Sequence, residues 1–218
     1  MTARERLRAD LLRYGPYRRG GFLQRVQTVL LTEALWAITL YRFGQYLAEE
    51  APGALRATIS PPYKLVLKVV QLMTGIHIDP PTQAGPGLYI GHYGGIWISP
   101  AAVLGANCNI SQGVTIGRAG RIARAAPRLG DRVWVGPNAT ISGPVRVGSG
   151  AVVAANTLVV ANVPENAVVI GVPARVLSYS GSGNLIDLPE AGSRAEGPGE
   201  PGPPAGPAPH LHSGADPD

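Results

Sequence analysis

Residues 129–158 read LGDRVW VGPNAT ISGPVR VGSGAV VAANTL, five hexads that each open on an aliphatic residue, Leu129, Val135, Ile141, Val147 and Val153, with Val159 opening the next. The same beat runs back toward the N-terminus as Ile78, Ala84, Ile90 and Ile96, slips by two residues, and resumes as Ile98, Leu104, Ile110 and Ile116, interrupted only at 118–128. A period of six fits neither the 3.6 of a helix nor the plain alternation of a half-buried strand. The residues between are often Gly, Asn, Ser or Pro, so the chain turns every six residues. A short strand followed by a corner explains this. Three hexads then close a triangular coil of about eighteen residues, with the aliphatic side chains inside and the coils stacked about 4.8 Å apart. Some thirteen hexads predict four to five coils, a prism roughly 20–25 Å tall. Gly85, Gly91, Gly105, Gly117, Gly130, Gly136 and Gly148 follow inward positions, which points to corners that need a permissive backbone. Asn107, Asn138 and Asn156 share one later point of their hexads, where an amide can satisfy turn backbone. Cys108, beside Asn107, reads as a small corner or core residue.

Three segments follow from this reading: an N-terminal helical segment over 1–75, the β-prism over 76–179, and a tail over 180–218. In the first, Leu23, Val26, Leu30, Ala34, Ala37 and Tyr41 recur every three or four residues. A second helical pattern runs from Tyr63 to Met73, with Pro61-Pro62 expected to start it. These helices are expected to pack on the prism. The alternative is an amphipathic patch on a membrane surface, rimmed by Arg18, Arg19, Lys64 and Lys68. In the tail, sixteen of 39 residues are Gly or Pro, which predicts disorder, with His210 and His212 solvated.

With 218 residues the chain has room for one cored domain and an appendage. Aromatic residues are only 6%, whereas Gly (29) and Pro (21) approach a quarter, which argues against a helical bundle. A single cysteine excludes an intrachain disulfide and fits a reducing cytoplasm. The formal charge is +5, but the cations are scattered: eleven Lys/Arg against five Asp/Glu over 1–75, seven against three over 76–179, and one against six beyond. With no basic run and no interleaved aromatics, nucleic acid is not the expected partner. The first ten residues are polar, unlike a signal peptide, and Val29 to Tyr41 is too short and too interrupted to span a bilayer.

Three runs carry a resemblance: Gly87-Leu88-Tyr89-Ile90-Gly91-His92-Tyr93-Gly94-Gly95-Ile96, Ile110-Ser111-Gln112-Gly113-Val114-Thr115-Ile116-Gly117, and Ile170-Gly171-Val172-Pro173-Ala174-Arg175-Val176. Over about 76–178 the chain resembles the serine acetyltransferases and their relatives among the hexapeptide-repeat acyltransferases. That resemblance implies a left-handed parallel β-helix, with the N-terminal helices as a shortened cap. It further implies an acetyl-CoA-dependent O-acetyltransferase of cysteine biosynthesis that makes O-acetylserine by direct transfer, with no metal. Its active site would lie between neighbouring subunits of a trimer or dimer of trimers. Flat prism faces carrying Trp97 and Trp134 suit such burial.

By the same resemblance His92 is the general base that takes the proton of the acceptor hydroxyl as it attacks the thioester. Imidazole has a pKa suited to that task, worth about 10²–10⁴ in rate. The bland reading of His92 is a corner residue. A base needs an orienting partner. The family carries Asp-x-His some fifteen residues upstream, where this chain has His77-Ile78-Asp79. Residues 77 and 79 share a strand face, so either is a candidate, Asp79 ahead of His77, unless Asp79 only caps the turn before Pro80. For the donor the resemblance marks Gly117, Pro137 and Ala155 along the pantetheine arm and Arg175 at its end. The excursion 118–128 carries Arg118, Arg121, Arg124 and Arg128 without an acid, suited to phosphates or simply solvated.

Two departures concern the acceptor. Gly91 stands where the family has Asp, and Ala125-Ala126-Pro127 where it has Arg-His-Pro, with Arg124 one place from the missing arginine. Those groups grip serine, so a sugar or polysaccharide precursor is the rival acceptor. A zinc enzyme on such a prism needs three histidines, and the folded part offers His77 and His92. A non-catalytic scaffold is the reading from another class.

Overall fold

The computed structural model describes residues 1–120 and 126–189. Five helices come first: α1 (Ala3–Leu12), α2 (Gly15–Arg19), α3 (Phe22–Leu31), α4 (Glu33–Glu49) and α5 (Gly53–Thr74). Fifteen short strands follow in three parallel sheets. The first sheet stacks β1 (Ile76–Ile78), β4 (Ile96–Ile98), β7 (Thr115–Gly117), β10 (Thr140–Ser142) and β13 (Leu158–Val159). The second stacks β2 (Gln83–Ala84), β5 (Val103–Leu104), β8 (Arg128–Leu129) and β11 (Arg146–Val147). The third stacks β3 (Tyr89–Ile90), β6 (Asn109–Ile110), β9 (Trp134–Val135), β12 (Val152–Val153) and β14 (Val168–Ile170). The antiparallel β15 (Arg175–Ser178) closes its end. Each coil takes one strand from each sheet, giving a left-handed parallel β-helix of about four turns.

The hexad reading places the core correctly. All fourteen aliphatic positions of the six-residue beat, Ile78 to Val159, are at most 5% exposed and form one cluster. Cys108 is buried among them, its thiol donating to the Gly130 carbonyl oxygen at 3.3 Å. The corner glycines are required for a different reason from the one expected. None of the seven has positive φ. At Gly85, Gly105, Gly130, Gly136 and Gly148 a Cβ would instead stand within 3 Å of backbone in the next coil, 2.7 Å from the Ala106 amide nitrogen in the case of Gly85, so close approach of stacked corners excludes a side chain there, whereas Gly91 and Gly117 meet no neighbouring coil. The left-handed conformation falls on the asparagines, with φ of 57° at Asn107, 58° at Asn138 and 57° at Asn156.

The helical segment departs from expectation at two points. Thr32 is extended (φ −116°, ψ 101°) and divides the first pattern in two. Ala34, Ala37 and Tyr41 are buried, while Leu23 and Leu30 on α3 are 81% and 61% exposed. Pro61 and Pro62 lie inside α5 and do not start it. The carbonyls that lose a donor there, those of Ala57 and Thr58, belong to exposed residues where water can serve. The cap is fixed to the first coil by Arg42, 1% exposed, which pairs with buried Asp10 and donates to the carbonyls of Ala84 and Gly85. No helix among the described residues is long and apolar enough to cross a membrane. The expected disordered tail lies outside the described residues from 190 onward, whereas residues 180–189 run back along the body. Arg13 donates to the Asp187 carbonyl oxygen, Ser182 to that of Arg132, and Ile186 is buried.

Candidate active site

Strand alternation turns His77, Trp97 and Thr115 outward on the first sheet, and in-register pairing sets His77 beside Trp97 and Trp97 beside Thr115. The His77 and Trp97 rings stack with centroids 3.7 Å apart. Above this face runs the end of α5, whose chain reverses at Gly75 in the left-handed conformation (φ 64°) to enter β1. Lys68 and Gln71, three residues apart, present one side of that helix end to a cleft of about 320 Å³. His77, Asp79, Trp97 and Thr115 form the opposite wall, and Gly117 lies at its far end. Gln71 Nε2 donates to Asp79 Oδ1 across the cleft at 3.0 Å. Partial burial holds the His77 imidazole below its ordinary pKa, the Lys68 charge adds to that, and Asp79 opposes it.

His92 lies on the corner between β3 and β4. The two-residue slip in the beat is this corner, Gly91 to Gly95, widened relative to its counterparts and passing through Gly94 and Gly95 at φ 102° and 67°. Both His92 and Tyr93 are exposed on it. The corner abuts the α5–β1 turn, since a Cβ on Gly75 would stand 3.0 Å from the Gly95 amide nitrogen. Asp79 is engaged by Gln71, and among the described residues no hydrogen bond joins His92 to Asp79 or to His77. His77 sits two residues nearer the corner than Asp79 does. The shared strand face expected for the pair is present, but the helix, invisible to strand periodicity, captures the carboxylate.

The residues marked for the donor divide into two groups. Two residues past Ile110, Val135 and Val153 of the third sheet stand the corner residues Gln112, Pro137 and Ala155, one per coil; on the widened corner Gly94 takes the matching backbone place, and His92 lies two residues before it on the same edge. Backbone bonds knit this edge, with Gly113 N donating to Gly94 O, Asn138 N to Gln112 O and Asn156 N to Pro137 O. His92, Pro137 and Ala155 therefore share one prism edge. Gly117 and exposed Arg118 lie at the other end of the short first-sheet strands, on the order of 10 Å away at about 3.3 Å per residue. Arg175 lies in β15 at the closing end. Arg124 lies outside the described residues; Ala126 is buried at 7% exposure.

Two residues were missed in the sequence. The Gln112 Oε1 atom is buried on the His92 edge without a hydrogen-bond partner, a costly state unless something donates to it. Lys68 was read only as part of a basic rim, because its position over the first sheet depends on where α5 packs. Among the described residues no group of three or more His, Cys, Asp or Glu side chains is placed to hold a metal ion.

Residues 126–161 match the family described as bacterial transferase hexapeptide (six repeats). A serine acetyltransferase of Mycobacterium tuberculosis is 37% identical over 111 residues, covering 50% of this chain and 48% of that protein. One from Synechococcus elongatus is 30% identical over 157 residues, 72% of this chain and 62% of that protein. The chain thus spans between about half and under two thirds of the length of these relatives. The crystal structure of Neisseria gonorrhoeae serine acetyltransferase in complex with serine is 30% identical with a TM-score of 0.66, over 81% of this chain and 69% of that one.

Proposed function

The chain belongs to the serine acetyltransferase-like hexapeptide-repeat acyltransferases, and from that premise we propose that it transfers the acetyl group of acetyl-CoA to the hydroxyl of L-serine. The observation that carries this reading is the shared edge: Pro137 and Ala155 are corners of successive coils, and His92 stands on the widened corner of the same edge two coils before Pro137, so one extended donor laid along the edge would reach the imidazole. Gln112 Oε1, unpartnered on that edge, would accept an N–H from it. His92 takes the hydroxyl proton as the oxygen attacks the thioester carbonyl. The C–S bond then breaks, and the imidazolium returns the proton to the departing thiolate. His77 is the nearer candidate to orient the base, Asp79 the farther. Gly117, Arg118, Arg124 and Arg175 are assigned to the donor's far end, with Gly91 beside the acceptor.

The product feeds cysteine synthesis in a reducing cytoplasm, consistent with one reduced thiol. Leu65, Leu72 and Met73 on α5, together with Trp97, are 56–68% exposed, an apolar face suited to a second copy of the chain, with a trimer as the assembly. Gly91 and Ala126, where serine-gripping groups were expected, favour a sugar acceptor as the second reading. The test is thiol release from acetyl-CoA with L-serine and with sugars. His92→Ala should cost about 10²–10⁴ in turnover and leave acetyl-CoA affinity near normal. Unchanged turnover would remove His92 from the chemistry.

A further inference from the structure

We infer that α3 is an in-plane membrane anchor, its apolar face entering the acyl boundary of an anionic lipid surface while Arg19 and Arg25 meet the headgroup phosphates. The helix buries none of its own residues, and of its apolar side chains only Val29 packs against the core. Phe22, Leu23, Leu30 and Leu31 are 61–81% exposed. By helical geometry Phe22, Val26, Leu30 and Leu23 fall within an arc of about 100°, with Gln24 and Thr28 opposite. A helix of only ten residues is marginal in water unless its apolar stripe is covered. The stripe is present, and the protein's own core does not cover it.

Charge decides between a lipid surface and a second copy of the chain. No Asp or Glu occurs between Asp10 and Glu33, a stretch that holds Arg13, Arg18, Arg19 and Arg25. Arg13 is buried and Arg18 pairs with Asp187, but Arg19 and Arg25 have no acidic partner among the described residues. Arg25 stands over the Tyr17 ring, 5.7 Å from its centroid, and donates to the Tyr17 carbonyl oxygen, which holds the guanidinium beside the start of α3. Two copies meeting through this face would bring like charges together, and its few side chains supply less than the roughly 800 Å² per partner of a stable interface. A lipid surface gains instead from each apolar group that enters it and from each cation near its phosphates. The connections suit a helix lying flat: α3 follows Gly20-Gly21 and ends at extended Thr32, which turns it out of line with α4. Ten residues are too few to span a bilayer, so the attachment is peripheral.

The test is co-sedimentation of the full-length protein with vesicles of phosphatidylcholine alone and of phosphatidylcholine and phosphatidylglycerol in equal parts. The wild type should pellet with the mixed vesicles and not with phosphatidylcholine alone. Salt raised toward about 1 M, where the Debye length falls to about 3 Å, should release it. Leu23→Gln/Leu30→Gln should weaken binding at least about tenfold by removing apolar insertion, and Arg19→Gln/Arg25→Gln should do so by removing two cations. Leu23 and Leu30 are exposed, so the first variant should keep the wild-type melting temperature. Val160→Gln, at an apolar site on the prism that is 54% exposed, should bind as the wild type does. A wild type that stays in the supernatant overturns the anchor, as does equal pelleting of Leu23→Gln/Leu30→Gln. So does a lower mass for that variant by light scattering without lipid, which would assign the face to a second copy.

Discussion

His77 and Trp97 stack with ring planes 14° from parallel, one strand apart on the outer face of the first sheet. Desolvation in this stack, then the Lys68 charge, lower the His77 pKa, and Asp79 pulls the other way. A histidine NMR titration should therefore find His77 below the ordinary value of about 6.5, higher in Lys68→Met and lower in Asp79→Asn. The folded state holds this proton less tightly than the unfolded chain. The ring's contribution to stability is thus complete above about pH 6.5 and is lost as the pH falls below it. In His77→Gln that part of the pH dependence of unfolding should disappear.

Stacked corners leave no room for a side chain at Gly85, where a Cβ would meet the Ala106 amide nitrogen at 2.7 Å. Gly85→Ala should lower stability by about 1–3 kcal/mol in denaturant unfolding. Gly183→Ala, at a position with open space around it, should stay within about 0.5 kcal/mol. Equal effects at the two sites would remove the close-approach explanation.

The Asp10–Arg42 pair joins α1 and α4 to the first coil, both residues at most 1% exposed, with the Leu88 amide also donating to Asp10. Asp10→Ala strands a buried guanidinium and should cost about 3–5 kcal/mol, whereas the Asp10→Leu/Arg42→Met double variant should cost clearly less. Thermal melts of the three proteins decide this.

Cys108 is fully buried, and that burial pushes its thiol up to about 11. Alkylation by iodoacetamide at neutral pH should be undetectable in the native protein and rapid in denaturant. Fast native labelling would place the thiol outside the core.

The amino-acid order by itself determined the coil. Ile78 through Val159 mark the inward positions because a strand and corner of fixed length repeat, and periodicity is a local property that needs no knowledge of the partner coil. The two-residue slip before Ile98 was equally readable, although only the folded chain identifies it as the widened corner that carries His92. Tertiary structure alone decided what the helices do. A 3.6-residue pattern states that Lys68 and Gln71 share a side but not what that side faces, so neither Gln71's hold on Asp79 nor Lys68's place over His77 could be read from it. Likewise Leu23 and Leu30 keep the helical period and yet stay exposed, because one extended residue, Thr32, turns α3 out of line with α4. Repeats specify their neighbours through backbone pairing at every coil. The cap is joined to the prism by a few side chains, and their partners exist only once the chain has closed.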